Sequence, residues 1–204
     1  MDRELIAILR GVTPREVIAI AEELILSGIT KIEVPLNSPN AYESIESLAN
    51  RFSSEAVIGA GTVLKKNEVS SVCNAGGKMI VSPNVNADVI IETKKLKMRS
   101  YPGVFTASEC FEAIQNGSDG LKLFPAFLLG VDGFNALKAV LPPGLPTYAV
   151  GGVDPINFAD WLAFGVRGFG IGSYLYKVGD NVSDVGKKAK IIVSAYDNAS
   201  YERT

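Results

Sequence analysis

The chain has 204 residues, 47% of them apolar and 21% charged, a balance typical of one globular domain, and we expect that domain to span residues 1–204. Its formal net charge of -2 offers no basic surface for nucleic acid, and no apolar run has the length of a membrane-spanning helix. The chain has no histidine, which removes the usual general base and the commonest metal ligand, so acid–base chemistry should fall to lysine, carboxylates or tyrosine.

Short runs with strand character recur along the chain at intervals of roughly twenty to twenty-five residues. Eight are predicted: Leu5–Arg10, Lys31–Leu36, Ala56–Thr62, Lys78–Ser82, Arg99–Val104, Gly120–Pro125, Pro146–Gly151 and Gly168–Ser173. Amphipathic segments lie between them. The first starts at Thr13 and Glu16, which predict a capping box, and ends before Gly28. The other helices are predicted over Asn40–Phe52, Lys66–Asn74, Ala87–Leu96, Ala107–Gln115, Asp132–Val140, Asn157–Phe164 and Val182–Ala195.

Eight alternations of strand and helix with short connections predict a parallel sheet, and eight units favour a closed (β/α)8 barrel covered at its C-terminus by the last helix. The rival fold is an open, doubly wound sheet. That fold usually carries a Gly-x-Gly-x-x-Gly motif after its first strand, where this chain has Leu9-Arg10-Gly11-Val12. The glycines Gly168, Gly170 and Gly172 have a different spacing, so we expect no nucleotide cofactor.

Two ionisable residues lie inside otherwise apolar strands of this barrel. Because strand residues alternate in direction, Lys122 and Glu33 point inward if their apolar neighbours face the helices. A buried lysine tends to lose its proton, and the neutral amine can attack a carbonyl carbon to form a Schiff base. Glu33 would then be the acid–base partner. Two alternatives stay open, a structural ion pair between them and a lysine whose charged end reaches the surface.

Further candidates lie at the carboxyl ends of strands, where barrels place their active sites. Arg10 ends the first strand and can form a forked bond with a carboxylate. The third strand ends in Gly61-Thr62. Gly151-Gly152 and Gly172-Ser173 end the seventh and eighth strands, where backbone amides of such barrels often hold phosphate. Tight turns would explain the same glycines.

Taken together, the motifs closely resemble the 2-keto-3-deoxy-6-phosphogluconate/galactonate aldolases. The resemblance runs from Leu5 to about Tyr176 and rests on four segments in order: Glu33-Val34-Pro35-Leu36-Asn37-Ser38-Pro39, Gly59-Ala60-Gly61-Thr62-Val63-Leu64, Leu121-Lys122-Leu123-Phe124-Pro125 and Ala149-Val150-Gly151-Gly152-Val153. It implies a class I aldolase on a (β/α)8 barrel, homotrimeric, acting on a phosphorylated keto-deoxy sugar acid without metal or other cofactor.

The resemblance also implies a role for each matching residue. Lys122 would form the Schiff base and Glu33 would be the general acid and base. Arg10 and Thr62 would bind the pyruvate-like end of the substrate. Gly151, Gly152, Gly172 and Ser173 would hold its phosphate.

Two differences favour the phosphogalactonate branch. Pro35-Leu36-Asn37-Ser38 replaces the Thr-Leu-Arg-Thr typical of the gluconate branch, and Val150 replaces a threonine near the substrate carbon whose configuration differs. The apolar segment Phe127-Leu128-Leu129 departs from the family pattern and would shape the pocket mouth or a subunit contact. The gluconate epimer and 4-hydroxy-2-oxoglutarate stay open as substrates. So do a non-catalytic phosphosugar-binding barrel and a metal-dependent isomerase or class II aldolase.

Location and protonation are the remaining expectations. The N-terminal residues are too charged for a secretory signal, and Cys73 and Cys110 are too far apart in the chain to indicate a disulfide framework, so we expect a cytoplasmic protein. A free lysine has a pKa of about 10.4, so burial must lower that of Lys122. We expect Leu121, Leu123 and Phe124 to supply the apolar surroundings, or Glu33 to accept the proton when substrate binds.

Overall fold

In a computed structural model, which describes residues 3–201, the apolar runs form strands and the amphipathic segments form helices. The strands are β1 (Leu5–Ile8), β2 (Lys31–Pro35), β3 (Val57–Gly61), β4 (Met79–Val81), β5 (Arg99–Tyr101), β6 (Gly103–Val104), β7 (Leu121–Leu123), β8 (Thr147–Val150) and β9 (Gly168–Ile171). The helices are α1 (Val17–Leu26), α2 (Ala41–Phe52), α3 (Lys66–Asn74), α4 (Ala87–Lys95), α5 (Ala107–Gln115), α6 (Ala126–Lys138), α7 (Phe158–Ala163) and α8 (Val182–Tyr201).

The strands pair in parallel in the order β5-β4-β3-β2-β1-β9-β8-β7-β6. β5 and β6 are two halves of the predicted fifth strand, interrupted at Pro102 because proline has no backbone N–H for the ladder. The first half pairs with β4, and the second with β7. The carbonyl of Pro102 itself accepts a hydrogen bond from the Lys122 amide at 2.9 Å. The ring is therefore continuous through this segment, which confirms the (β/α)8 barrel and shows that the doubly wound alternative is wrong.

The strands separate two apolar cores. Residues such as Ile32, Val34, Leu121 and Leu123 face outward and are fully buried under the helices. The alternate residues form a smaller cluster inside the barrel, made of Ile6, Ile8, Met79, Val81, Tyr101, Tyr148 and Val150. Glu33 and Lys122 lie between outward-facing neighbours, so both point inward as predicted.

A polar network closes the amino-terminal end of the barrel. Lys31, the first residue of β2, is buried, and its Nζ donates to Glu4 Oε2 at 3.0 Å and to the carbonyl of Arg3 at 3.1 Å. The hydroxyl of Tyr148 donates to the same Glu4 oxygen at 2.9 Å. The barrel therefore contains a second inward lysine whose charge is compensated by a carboxylate, far from the strands' carboxyl ends.

The largest differences from the predicted helix bounds are in α6 and α8. α6 begins at Ala126 rather than Asp132, with a break in helical geometry at Gly130, where φ is +66°. The apolar segment after Pro125 has no polar face, so its helical period is not visible in the sequence. α8 extends to Tyr201 and packs against α1 and α7. Among residues 3–201, no helix is long and apolar enough to cross a membrane.

Candidate active site

Lys122 lies in the middle of β7, at the wall of a cavity of about 640 Å³ that opens at the carboxyl ends of the strands. Lys122 is 6% exposed, and its Nζ lies 4.6 Å from the centre of the Phe124 ring. Burial lowers the pKa of Lys122 below that of a free lysine; the charge of Glu33 opposes this shift, and that of Arg10 adds to it. The amine is therefore easier to deprotonate than an exposed lysine.

Of the three apolar neighbours predicted to surround this amine, Phe124 does so, whereas Leu121 and Leu123 do not. Leu121 and Leu123 face the helices, because residues adjacent in a strand point to opposite sides. Ile8, Phe124 and Val150 line the cavity together with Lys122. The desolvation of Lys122 therefore comes from other strands and from Phe124.

Glu33 is buried in the middle of β2 and lies against the glycine that ends β3. A β-carbon at Gly61 would lie 2.6 Å from Oε1 of Glu33 and closer still to Oε2 and Cδ, so the carboxylate occupies the space that the missing side chain leaves. Oε2 has no hydrogen-bond partner among the described residues. Burial raises the pKa of Glu33 to about 7, against the opposing charges of Lys122 and Arg10. A carboxyl with this pKa can both accept and release a proton near neutrality.

Lys122 and Glu33 influence each other without direct contact. No ion pair within 4.0 Å joins them in the part of the chain that the structure describes. The pKa of Glu33 is raised and that of Lys122 is lowered, and both shifts favour the neutral form of the group. The pair is thus not a structural salt bridge like that of Lys31 and Glu4, and Lys122 does not reach the surface.

Arg10 extends from the end of β1 over the same face of the barrel. Its Nη1 donates to Asn37 Oδ1 at 2.6 Å and to Thr62 Oγ1 at 3.4 Å. Thr62 has φ of +55°, an unusual conformation for a β-branched residue, and such strain is typical of functional sites. The ends of three neighbouring strands therefore bring Arg10, Asn37 and Thr62 together.

The predicted phosphate residues line the cavity from the ends of β8 and β9. Gly151 and Gly152 both have positive φ, at +90° and +73°, and follow the inward-facing Val150. Gly172 begins a turn in which its carbonyl accepts from the amides of Leu175 and Tyr176. The predicted residues Arg10, Lys122, Val150, Gly151, Gly152, Gly172 and Ser173 all line this one cavity.

Sequence reasoning missed several residues of this cavity. Asp154, Tyr174, Tyr176 and Lys177 line it from the loops after β8 and β9. The loops carry no periodic pattern, but the cation four residues after Ser173 was a signal that could have been noticed. Asn37 belongs to a motif that the sequence singled out, yet its contact with Arg10 follows only from the fold.

A known protein family matches nearly the whole chain. The family described as "Aldolase: KDPG and KHG aldolase" matches residues 2–189. The chain belongs to this family. Its members are class I aldolases, so the chain is a carbon–carbon lyase, as the resemblance of its motifs implies.

Relatives within the aldolase family cover nearly the whole chain. A "Probable 2-dehydro-3-deoxy-6-phosphogalactonate aldolase" of Rhizobium meliloti (strain 1021) is 47% identical over 97% of this chain and 93% of its own. The 2-dehydro-3-deoxy-6-phosphogalactonate aldolase of Escherichia coli (strain K12) is 42% identical over 96% and 95%. A solved structure described as "Native KDPGal structure" superposes with a TM-score of 0.97 at 41% identity, covering 98% of each chain.

Proposed function

We propose that this aldolase cleaves 2-dehydro-3-deoxy-6-phosphogalactonate to pyruvate and D-glyceraldehyde 3-phosphate through a Schiff base on Lys122. One observation carries the chemistry: a buried amine with a lowered pKa points into the barrel together with a buried carboxyl whose pKa is raised to about 7. The names of the relatives from Rhizobium meliloti and Escherichia coli support the substrate.

The reaction begins when neutral Lys122 attacks the C2 ketone of the substrate. Glu33 moves protons while the carbinolamine forms and loses water, and the product is a protonated imine. This imine accepts the electron pair of the C3–C4 bond as Glu33 removes the proton of the C4 hydroxyl. Glyceraldehyde 3-phosphate leaves, the pyruvate enamine is protonated, and hydrolysis releases pyruvate and frees Lys122.

The protonation states follow from the surroundings of the two groups. Burial favours the neutral amine and the neutral acid, and a Glu33 pKa of about 7 leaves the carboxyl divided between its two forms at neutral pH. The same residue can therefore donate a proton in the dehydration step and accept one in the cleavage step.

The two ends of the substrate have different partners. Arg10 and Thr62 bind the carboxylate of the keto acid, because a guanidinium matches a carboxylate with two parallel bonds. Gly151, Gly152, Gly172 and Ser173 bind the phosphate through backbone amides and a hydroxyl. Lys177 lines the same end of the cavity and adds a positive charge.

Val150 supports the galactonate epimer as the preferred substrate. Its side chain faces inward, and Gly170 on β9 makes room for it, since a β-carbon there would lie 2.8 Å from Val150 Cγ2. A methyl group at this position offers no hydrogen bond to a hydroxyl of the gluconate configuration. The gluconate epimer and 4-hydroxy-2-oxoglutarate are the alternative substrates for the same chemistry.

A homotrimer is the assembly that we propose. Phe127 and Leu128, at the start of α6, are 65% and 64% exposed, and Ile156, four residues after Gly152, is 90% exposed. Large apolar side chains grouped on a surface are typical of a protein–protein contact. The Phe127 amide donates to the carbonyl of Gly151 at 3.1 Å, so such a contact would adjoin the phosphate end of the cavity.

We also propose the cytoplasm as the location of this enzyme. Cys73 and Cys110 are unpaired, and the apolar surroundings of Cys110 raise the pKa of its thiol to about 11. Two free thiols are ordinary in a reducing compartment.

The substrate is tested by measuring pyruvate release from the two phosphorylated epimers with the same enzyme preparation. A higher kcat/KM for the galactonate epimer is expected, and activity should persist with a chelator present. A strong gluconate preference would overturn the substrate. Loss of activity with chelator would favour a metal-dependent mechanism, and no activity on either compound, or on 4-hydroxy-2-oxoglutarate, would favour a binding protein.

A further inference from the structure

Arg10 is anchored through only one of its three nitrogens. Nη1 donates a short bond of 2.6 Å to Asn37 Oδ1 and a long one of 3.4 Å to Thr62. Within residues 3–201, Nε and Nη2 donate to no protein atom. These two nitrogens form the edge of a guanidinium that binds a carboxylate with two parallel bonds. The anchor therefore leaves the binding edge of Arg10 free.

The anchor matters because Arg10 is an exposed side chain with many rotamers. A free arginine of this kind would have to be ordered each time a ligand binds, and that ordering weakens binding. A short hydrogen bond to a fixed partner removes part of this cost before the ligand arrives. Asn37 supplies the short bond.

Asn37 is itself held on a fixed segment. The next residue, Ser38, is buried, and its Oγ accepts from the Gly11 amide at 2.8 Å. On the other side, the Leu36 amide donates to the carbonyl of Gly61 at 2.8 Å. The segment is thus tied to the turn after β1 and to the end of β3, the two places that carry Arg10 and Thr62.

The neutral amide of Asn37 is as important as its position. A carboxylate here would also hold Arg10, but it would cancel the positive charge that a substrate carboxylate needs. An amide oxygen accepts the same hydrogen bond without this effect.

From these contacts we propose that Asn37 is a positioning residue, which fixes Arg10 so that its free edge meets the carboxylate of the keto-acid substrate. The inference rests on the proposed function, since it requires Arg10 to bind that carboxylate.

The test measures the two ends of the substrate separately. Pyruvate affinity is taken from the pyruvate dependence of borohydride trapping on Lys122, and the KM for glyceraldehyde 3-phosphate is taken from the condensation reaction. Asn37→Ala should weaken pyruvate binding about tenfold. The KM for glyceraldehyde 3-phosphate should change less than about twofold. Asn37→Asp should weaken pyruvate binding further, although the new carboxylate can still accept a hydrogen bond from Arg10. Asn67→Ala, the same change on the exposed face of α3, serves as the control and should resemble the wild type.

A double-mutant cycle distinguishes positioning from a direct contact with substrate. If Asn37 acts through Arg10, then Arg10→Ala with Asn37→Ala should bind pyruvate no more weakly than Arg10→Ala alone. The inference would be overturned if Asn37→Ala bound pyruvate as tightly as the wild type. It would also be overturned if Asn37→Asp bound pyruvate as tightly as Asn37→Ala or more tightly, or if the losses in the double variant were additive. Absence of a pyruvate adduct in the wild type would instead overturn the proposed function.

Discussion

Gly61→Ala tests most directly whether the reaction rate depends on the position of the Glu33 carboxylate. The added β-carbon would lie 2.6 Å from Oε1 of Glu33 and nearer to Oε2 and Cδ. Non-bonded heavy atoms lie comfortably at about 3.5 Å, so the carboxylate would have to move by at least about 1 Å. No hydrogen bond from the described residues holds Oε2, so the side chain is the part that yields.

The size of the effect follows from this displacement. A shift of about 1 Å in a catalytic group costs on the order of 100-fold in rate, whereas one extra methyl in a packed interior destabilises a fold by only about 1–3 kcal/mol. If the carboxylate moves toward Lys122, it also stabilises the ammonium form and raises the pKa of that amine. We therefore expect a folded variant with kcat reduced about 100-fold.

The assay compares kcat for pyruvate release with the thermal unfolding midpoint of the same sample. Gly133→Ala in α6 is the matched control, because its β-carbon would meet only the flexible end of Leu129. It should retain nearly wild-type kcat. A folded Gly61→Ala enzyme with more than half of the wild-type kcat would refute the reasoning that catalysis requires Glu33 in its position beside Gly61.

The remaining predictions concern acid–base chemistry, specificity and assembly. Glu33→Gln should lower kcat by about 100-fold or more, and the rise in rate with pH near 7 should disappear. If the variant keeps this rise, the titration that causes it belongs to another group. A carboxyl whose pKa is raised on folding destabilises the fold as pH increases from 4.5 to about 7, so Glu33→Gln should gain stability over the wild type in this range, by roughly 3 kcal/mol in urea titrations. An equal stability difference at pH 5 and pH 8 would contradict the shift. Val150→Thr should move the kcat/KM ratio toward the gluconate epimer by about tenfold, whereas an unchanged ratio would remove Val150 from specificity. Leu128→Asp should lower the mass in light scattering, unlike the control Leu26→Asp, which changes another exposed leucine; a trimer in both variants would place the interface elsewhere.

The barrel was predictable because its eight strand–helix units follow one another in the chain. The early start of α6 at Ala126 was not predictable, because it depends on local geometry that apolar patterning does not show, and the break at Pro102 was missed. Proline within a predicted strand was nevertheless a readable sign of an interrupted ladder.

The site shows the limit of local reasoning more clearly. Lys31 and Lys122 are both buried, inward-facing lysines in apolar strands, yet one is neutralised by Glu4 and the other faces a cavity. Position along the strand distinguishes them, because barrels place active sites at the carboxyl ends. The contacts of Gly61 with Glu33 and of Asn37 with Arg10 join different strands, so no pattern within one segment could have shown them.

The central claim is that Lys122 is the nucleophile, and reductive trapping tests it most directly. The enzyme is treated with borohydride in the presence of pyruvate, and its peptides are mapped by mass spectrometry. The pyruvate adduct should appear on Lys122 alone, with the buried Lys31 as an unmodified internal reference. A folded enzyme that shows no adduct at saturating pyruvate, or an adduct on another lysine with Lys122 unmodified, would contradict the account.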